Sequence, residues 1–246
     1  MRPPKQGTVS IFRRPRTCHR LDKPTSGLVI TAKTLPAMVN ISLQFVSRTV
    51  KKTYTAILNG IPSEDEPILS STAHSMGADV DPNSSDKWHR IDRALPDKRE
   101  KAREAITFWK GVKHVPSHRA RDGILTVVEM KPISGRFHQL RRHMAWICKT
   151  PIAGDKRYDG GRAAMGLNDR GLFLCSNGLL LEHPYYNSKK GRAEWKSMDP
   201  STRPKELFER DDDGKVMVRV GIPLPDKYQN LLDWEERHAD QPRLVE

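Results

Sequence analysis

The chain has 246 residues, of which 36% are apolar, so it is long enough to form one large domain around its own core. Lysine and arginine exceed aspartate and glutamate by 43 to 30, an excess that favours a polyanionic partner such as nucleic acid, although a generally basic, solvated surface gives the same count. Cys18, Cys148 and Cys175 form no C-x-x-C pair, and no apolar run could cross a bilayer, so disulfide frameworks, cysteine-rich zinc sites and membrane spans are not expected.

The first predicted elements are a strand, a helix and a second strand. Residues 27–32 contain consecutive large apolar side chains and predict a buried strand. A helix should follow, because Thr34 can cap it and Pro36 is tolerated in its first turn. Residues 51–58 alternate like a strand and stop at a turn signal, Asn59-Gly60. The residues expected on the buried face of the helix are Leu35, Met38, Val39, Phe45 and Val46.

The middle of the chain predicts a polar excursion followed by two strands. Residues 62–103 are rich in Ser, Asp, Pro, Lys and Arg and show little periodicity, which indicates an insertion or a long surface loop. Residues 105–109 and 124–130 are apolar and partly β-branched, so we expect them to be neighbouring strands.

A second helix is predicted from residue 136 to residue 147, after a turn at residues 132–135. Turns and short strands should follow at residues 150–155, 171–175 and 179–181, with a further strand at 216–223 and a helix at 228–234. The buried stripe of the second helix is expected to contain Phe137, Leu140, Met144 and Ile147. The residues expected on its opposite, projecting side are His138, Arg141, Arg142 and Ala145.

Asp22 is the first acidic residue of the chain and a candidate for chemistry. Several arginines and His19 precede it, and this positive surrounding favours an ionised carboxylate. The alternative is a turn residue whose side chain binds the following backbone amides, an ordinary use of Asp before Lys-Pro-Thr.

Four ordered motifs decide between these interpretations. They read HRLDKPTSG at residues 19–27, KTY at 52–54, GRFHQLRRH at 135–143 and PIAGD at 151–155. Together they resemble the signatures of the RluA-type pseudouridine synthases, and the double arginine and the Pro-Thr-Ser resemble the tRNA-acting, TruC-like branch. Four motifs in order form a far more specific signal than any one of them.

The resemblance implies an α+β pseudouridine synthase fold, with a mixed, mostly antiparallel sheet, flanking helices and a central basic cleft. It also implies isomerisation of uridines in tRNA or rRNA without a cofactor, because the reaction adds and removes nothing. Asp22 matches the family's nucleophile, and Arg141 matches the arginine that pairs with it. Tyr54 matches the aromatic residue that stacks on the flipped base, although a core tyrosine is the plainer interpretation. Arg20 matches the arginine that fills the gap the base leaves, or else contacts phosphate.

Other residues of these motifs are expected to bind the RNA substrate. His19 and His138 orient loops or bind phosphate, and Arg136 and Arg142 contact phosphate. Leu174, with Leu172, walls the uracil pocket or belongs simply to the core.

The resemblance also sets the expected domain organisation. A basic N-terminal segment covers residues 1–17, the catalytic domain residues 18–187 and a charged extension residues 188–246. Family members usually have a longer segment before the aspartate loop, so we expect the N-terminal part of the fold to be shortened. Phe137 stands where Thr or Arg is usual, Ala153 where Val or Ile is usual, and Cys175-Ser176 where His-Ala is usual.

Three rival functions remain open at this point. The first is a catalytically impaired RNA-binding protein on the same scaffold. The others are a metal-dependent hydrolase and a cysteine nucleophile, Cys148 near His143, but neither has an orienting pattern. A calcium loop at residues 211–214 is also disfavoured, since its closing glutamate is missing. We expect a monomer with RNA as its partner and with no metal or membrane, in the cytoplasm; an organelle or the nucleus is the alternative. The candidate metal ligands of the hydrolase are His114, His118, His138 and His143.

Overall fold

The structure is a computed structural model that describes residues 11–63, 87–97, 99, 101–160, 167–210 and 212–240. Most of the predicted insertion at residues 62–103 and part of the calcium-like loop lie outside these ranges. The chain folds into two compact units. The first unit contains residues 1–52 and 176–222, and the second contains residues 53–175 and 223–246. The domain boundaries inferred from the sequence stay a prediction.

The secondary structure follows the chain in twelve labelled strands and four labelled helices within the described ranges. The strands are β1 (Ile11–Thr17), β2 (Ser26–Gly27), β3 (Thr31–Thr34), β4 (Lys51–Asn59), β5 (His89–Asp92), β6 (Leu95–Pro96), β7 (Ala102–Arg103), β8 (Ile106–Pro116), β9 (Ile124–Pro132), β10 (Leu174–Glu182), β11 (Leu207–Glu209) and β12 (Val216–Gly221). The helices are α1 (Leu35–Val46), α2 (Gln139–Arg142), α3 (Lys189–Ser197) and α4 (Asp226–Arg237), with a π-helix at His143–Ile147 and short 3₁₀ turns at Asn168–Arg170 and Pro200–Thr202. None of the helices in the described ranges has the length and apolar character that a membrane span requires.

In the first unit, β1 pairs with β3 and β10 pairs with β12, which pairs with β11; all three pairings are antiparallel. The predicted strand at residues 27–32 is wrong in its bounds. The chain forms two short strands, and Leu28 to Ile30 lie between them, because the Leu28 N–H turns to the Ser176 carbonyl (2.8 Å). The segments predicted at 171–175 and 179–181 merge into the single strand β10.

Helix α1 begins where the sequence predicts, since the Thr34 hydroxyl accepts a hydrogen bond from the Ala37 N–H (3.4 Å). Its predicted buried face is wrong in part, because Val39 and Val46 are 47% and 78% exposed. The buried residues are Ile41 and Gln44 instead. The Gln44 amide donates to the Glu182 carbonyl (3.0 Å) and accepts from its N–H (2.9 Å), so a polar side chain is satisfied on the core face of the helix.

In the second unit the strand order is β4, β9, β8 and β5, again antiparallel. This order confirms the predicted pairing of the two central strands, and the α+β prediction with a mostly antiparallel arrangement is also confirmed. Helix α4 is longer than the turn or two predicted there. It is anchored by the buried pair of Arg119 and Glu235, whose Nε and Oε1 are 2.8 Å apart.

The predicted helix at residues 136–147 begins only at Gln139 and continues as a π-helix from His143. Two expectations about its faces are wrong. Phe137 precedes the helix and is 46% exposed rather than buried, and the arginines at 141 and 142 are 5% and 4% exposed rather than projecting. Both guanidinium groups have partners within the protein, which makes their burial tolerable.

Candidate active site

The loop that carries Asp22 lies in the first unit, between β1 and β2. The Cys18 N–H donates to the Ile30 carbonyl (2.9 Å), and the Thr25 N–H donates to the Asp22 carbonyl (2.9 Å). Asp22 is half-buried, whereas Arg20 is exposed. The hydrogen bond that closes the turn uses the main-chain oxygen of Asp22, so the turn and a chemical role for the carboxylate are compatible.

The ring of His19 joins this loop to the following segments. Its Nε2 accepts a hydrogen bond from the Ile30 N–H (3.0 Å), and the ring stacks on Phe45 with centroids 4.4 Å apart. An accepting Nε2 requires a neutral imidazole with its proton on Nδ1. Burial lowers the pKa of His19 and the charge of Lys52 lowers it further, while a hydrogen bond with the Arg20 backbone opposes the shift. These contacts are those of a residue that orients the loop.

We expect acid to destabilise the fold through His19. The folded state keeps the ring neutral, so its pKa lies below the ordinary value of 6.5. The stabilisation is complete above that value and is lost as the pH falls from there through the lowered pKa. The measurement is the free energy of urea unfolding at about pH 7.5 and about pH 5.5. The His19→Leu variant should lose less stability on acidification than the wild type, and equal losses would contradict the expectation.

Gly27 lets the end of the loop lie directly on β10. Its φ is +119°, and a Cβ at this position would lie 2.2 Å from the main-chain oxygen of Ser176. Glycine is therefore required by both the backbone conformation and the space.

The Gly27→Ala variant is expected to lose roughly 1–3 kcal/mol from backbone strain, with a further loss from the clash. The free energy of unfolding in urea checks this value. Gly111→Ala is the matched control, because no atom lies within 4 Å of a Cβ built there. Similar losses in the two variants would show that the contact with Ser176 is not limiting.

Tyr54 lies on β4 opposite Met130, in the second unit. It is half-buried and packs on the main core cluster of that unit. Leu172 and Leu174 belong to the same cluster and are each 2% exposed, so both are core residues whatever else they contact. The position on an alternating strand is consistent with either interpretation of Tyr54.

Arg141 and Asp155 form a buried, bidentate ion pair. Nε of Arg141 donates to Oδ2 of Asp155 (2.7 Å), and Nη2 donates to Oδ1 (2.6 Å). The side chains are 6% and 0% exposed. Oδ1 of Asp155 also accepts from the N–H groups of Arg157 and Tyr158 (3.1 and 3.3 Å). The carboxylate thus fixes the plane of the guanidinium and is itself fully hydrogen-bonded.

The PIAGD segment is held between β4 and residue 173. The Asn59 N–H donates to the Pro151 carbonyl (2.9 Å), and the Ala153 N–H donates to the Ile57 carbonyl (2.8 Å). Gly154 has a φ of +76°, and a Cβ there would lie 2.1 Å from the main-chain oxygen of Gly171. This close approach delivers Asp155 to Arg141, which explains the spacing of the motif.

His138 occupies the left-handed region, with a φ of +50°, immediately before α2. Such a conformation is uncommon for residues other than glycine and is concentrated at functional sites. Nδ1 of His138 is 2.8 Å from the Tyr158 hydroxyl, and Nη1 of Arg141 lies 3.4 Å from the imidazole ring. The Arg141 guanidinium also lies over the Tyr158 ring, 5.0 Å from its centroid. His138, Arg141 and Tyr158 therefore form one cluster.

A hydrogen-bond chain beneath this cluster holds the helix start. Oε1 of Gln139 accepts from the Ser134 hydroxyl (2.7 Å), and its Nε2 donates to the Thr107 hydroxyl oxygen (3.0 Å). Thr107 in turn lies 3.0 Å from Nδ1 of His143, whose Nε2 is 3.2 Å from the Arg93 carbonyl. A carbonyl only accepts, so Nε2 of His143 carries the proton and Nδ1 accepts from Thr107. His143 is thus structural.

The two other arginines of this motif have different surroundings. Arg136 is half-buried, and its Nε donates to the Glu104 carbonyl (2.8 Å). Nη1 of Arg142 donates to the carbonyls of Pro96 (3.0 Å) and Phe137 (3.3 Å). Burial lowers the pKa of the Arg142 guanidinium. The phosphate contacts expected of both residues stay predictions.

The structure thus groups His138, Arg141 and Arg142 in the second unit, and His19, Arg20 and Asp22 on one loop of the first. Asp155 and Tyr158 had no assigned role in the sequence. The signal for Asp155 was present, because an acid that ends a turn after an arginine-rich helix is a candidate partner. Within the described ranges, no group of three His, Cys, Asp or Glu side chains is placed to hold a metal ion.

Comparison with known proteins gives consistent relatives. A family model described as RNA pseudouridylate synthase matches residues 11–146, more than half of the chain. The tRNA pseudouridine synthase C of Yersinia pestis is 33% identical over 176 residues, which is 68% of this chain and 63% of that protein. The ribosomal large subunit pseudouridine synthase C of Rickettsia conorii is 33% identical over 172 residues, 70% of this chain and 50% of that protein.

Two solved human structures share the fold. RNA Pseudouridylate Synthase Domain Containing 4 has a TM-score of 0.56 at 21% identity, covering 91% of this chain and 76% of that one. RNA Pseudouridylate Synthase Domain Containing 1 has a TM-score of 0.50 at 18% identity, covering 95% and 84%. The chain spans between half and two-thirds of the length of the two bacterial relatives. With its family model covering Asp22, Tyr54 and Arg141, the chain belongs to the RNA pseudouridylate synthase family.

Proposed function

We propose that this protein is an RNA pseudouridine synthase that isomerises uridines in tRNA or rRNA. The observation that carries the proposal is the family match over residues 11–146, which contains the three residues we assign to chemistry. The net charge of +13 supports a polyanionic substrate. Relatives named for both tRNA and ribosomal RNA support either RNA as the substrate.

Asp22 is proposed as the nucleophile. Its carboxylate attacks C6 of the uracil or the ribose carbon, the bond from N1 to the ribose breaks, and the uracil rotates and rejoins through C5. The C5 proton then leaves and N1 gains one, so that the product has the composition of the substrate. A carboxylate suits this role because it can both attack and leave. The half-buried loop that Gly27 and His19 hold in place supports a fixed position for it.

Arg141 is proposed to keep the nucleophile ionised and aimed. The bidentate contact with Asp155 supports this role, because it fixes the guanidinium plane before any substrate binds. Tyr54 is proposed to stack on the extruded uracil, and Arg20 to fill the space that the base leaves. His19, His138, Arg136, Arg142 and Leu174 are proposed to position or contact the RNA.

The partner and setting are proposed from charge and chemistry. We infer a monomer that acts on RNA in the cytoplasm, without a metal ion, since the isomerisation is balanced by side-chain chemistry alone. An organelle or the nucleus is the alternative location. An analytical ultracentrifugation run and a tagged copy of the chain check these two statements.

The activity can be tested through the hydrogen that the reaction removes from C5. Transcribed tRNA and rRNA fragments carrying tritium at C5 of uridine release it to water when a carbon–carbon bond forms there. We expect release with the wild-type chain and pseudouridine at defined positions in the RNA. Binding without release in every RNA tested would overturn the proposal and favour the impaired RNA-binding protein.

A further inference from the structure

A row of aromatic rings continues from Arg141 across the second unit. We call it the ring surface; its rings belong to Phe137, His138, Tyr158 and Trp146. Phe137 and Trp146 are 46% and 43% exposed, which is high for such large apolar side chains. The exposure is not scattered, because each of these two residues contacts another ring of the row.

The rings are held in fixed relative orientations. Phe137 stacks on His138 with centroids 3.7 Å apart and planes 20° apart. Tyr158 stands edge-on both to His138 and to Trp146, at 5.6 Å and 86° in each case. The hydrogen bond between His138 and the Tyr158 hydroxyl (2.8 Å) ties the row together. Rings that are already ordered lose little conformational entropy when a ligand stacks on them.

Two arginines are interleaved with the rings. The exposed Arg157 lies 5.7 Å from the centroids of both Phe137 and Tyr158. Arg142 lies 4.7 Å from the Trp146 centroid and is buried beneath it by its bonds to two carbonyls. Arg142 therefore supports Trp146, whereas Arg157 is placed to meet a phosphate between stacked bases.

Exposed aromatic rings alternating with arginines are the usual means of binding single-stranded nucleic acid, since every base has a stacking face and every linkage a negative charge. A protein partner would more often meet apolar side chains without interleaved cations. The surface also begins at Arg141, which lies over the Tyr158 ring and is proposed to act on the target nucleotide.

We propose that Phe137 and Trp146 stack on unpaired bases of the RNA next to the target uridine, with Arg157 on the intervening phosphate. This inference rests on the proposed function and narrows its substrate to uridines in loops, where neighbouring bases are available for stacking. A uridine inside a continuous duplex would leave both rings without a base.

The test measures RNA binding by the full chain carrying Asp22→Asn, so that turnover does not intervene. The probe is a 12-nucleotide oligoadenylate with one central uridine, and a second probe has abasic nucleotides on both sides of that uridine. We expect Phe137→Ala and Trp146→Ala each to weaken binding of the first probe about tenfold. Both should bind the abasic probe as the parent chain does.

Matched variants separate stacking from other effects. Phe137→Tyr and Trp146→Phe keep a ring and should keep the affinity. Val112→Ala removes an equally exposed apolar side chain, 60% exposed on β8, and should change nothing. Arg157→Gln should reduce the slope of log affinity against log salt by about 0.7, whereas the ring variants should leave the slope unchanged.

The inference is overturned if the alanine variants bind the first probe as tightly as the parent, or lose affinity equally for the abasic probe. These results are separable from the synthase activity. Tritium release by the wild type with unaltered KM in the ring variants sinks the ring surface and leaves the proposed function standing. Ring-dependent binding without tritium release retains the surface and removes the synthase assignment.

Discussion

Replacing Asp22 with Asn or Ala is expected to abolish pseudouridine formation, lowering kcat by at least about 10⁴-fold, because the group that forms the covalent bond is gone. RNA affinity should change little, since one carboxylate contributes little to contacts with the phosphate backbone. Tritium release from C5-labelled RNA and a filter-binding titration measure the two quantities on the same preparation.

Two variants are used because an introduced asparagine can deamidate back to aspartate. Glu206→Gln, which neutralises an exposed carboxylate of the same unit, is the control and should retain full turnover. Substantial turnover by Asp22→Ala would remove Asp22 from the nucleophile position. Parallel loss of turnover in Glu206→Gln would show instead that net charge is responsible.

Breaking the ion pair of Arg141 and Asp155 is expected to have the second largest effect. Asp155→Ala leaves a buried guanidinium without its carboxylate and removes the acceptor of two backbone N–H groups. Loss of one partner of a buried pair costs about 3–5 kcal/mol of the free energy of unfolding. Arg141→Met should cost a similar amount, and both variants should be inactive. Urea unfolding and tritium release measure the two losses.

The double variant Arg141→Met, Asp155→Leu separates folding from chemistry. An apolar pair of similar volume frequently replaces a buried ion pair at little cost, so most of the stability should return while activity stays absent. Asp169→Asn serves as the surface control, because its contact with Lys156 (3.2 Å) is made by side chains 91% and 65% exposed. Recovered turnover in the double variant would show that Arg141 acts only in folding.

The motifs were more informative than the periodicity. The cap at Thr34, the turn at Asn59-Gly60 and the central strand pair are all where the sequence predicts them, because each is set by local chemistry. The faces of the two main helices were harder to predict. Gln44 is buried because its amide matches both backbone groups of Glu182, 138 residues away, and no local pattern records such a partner.

The candidate site shows the same division. The sequence offered Arg141 as a projecting cation, since nothing in its helix reveals that Asp155 will reach it. That contact depends on Gly154 lying against the main chain of Gly171, a long-range packing condition. Phe137 was assigned to the core by spacing alone, but the left-handed His138 separates it from the helix and turns the ring outward. Irregular backbone at a site overrides periodicity.

The π-helix at His143–Ile147 gives one further consequence. Its Cys148 N–H donates to the His143 carbonyl (3.1 Å), five residues back rather than four. One additional residue in a turn rotates the residues after it by about 100° relative to a regular α-helix. The number of residues between Arg142 and the PIAGD segment therefore specifies the angular phase at which that segment meets β4. A deletion of one residue here would preserve every motif letter and still misdirect Asp155, so the spacing is itself part of the information that the family signature encodes.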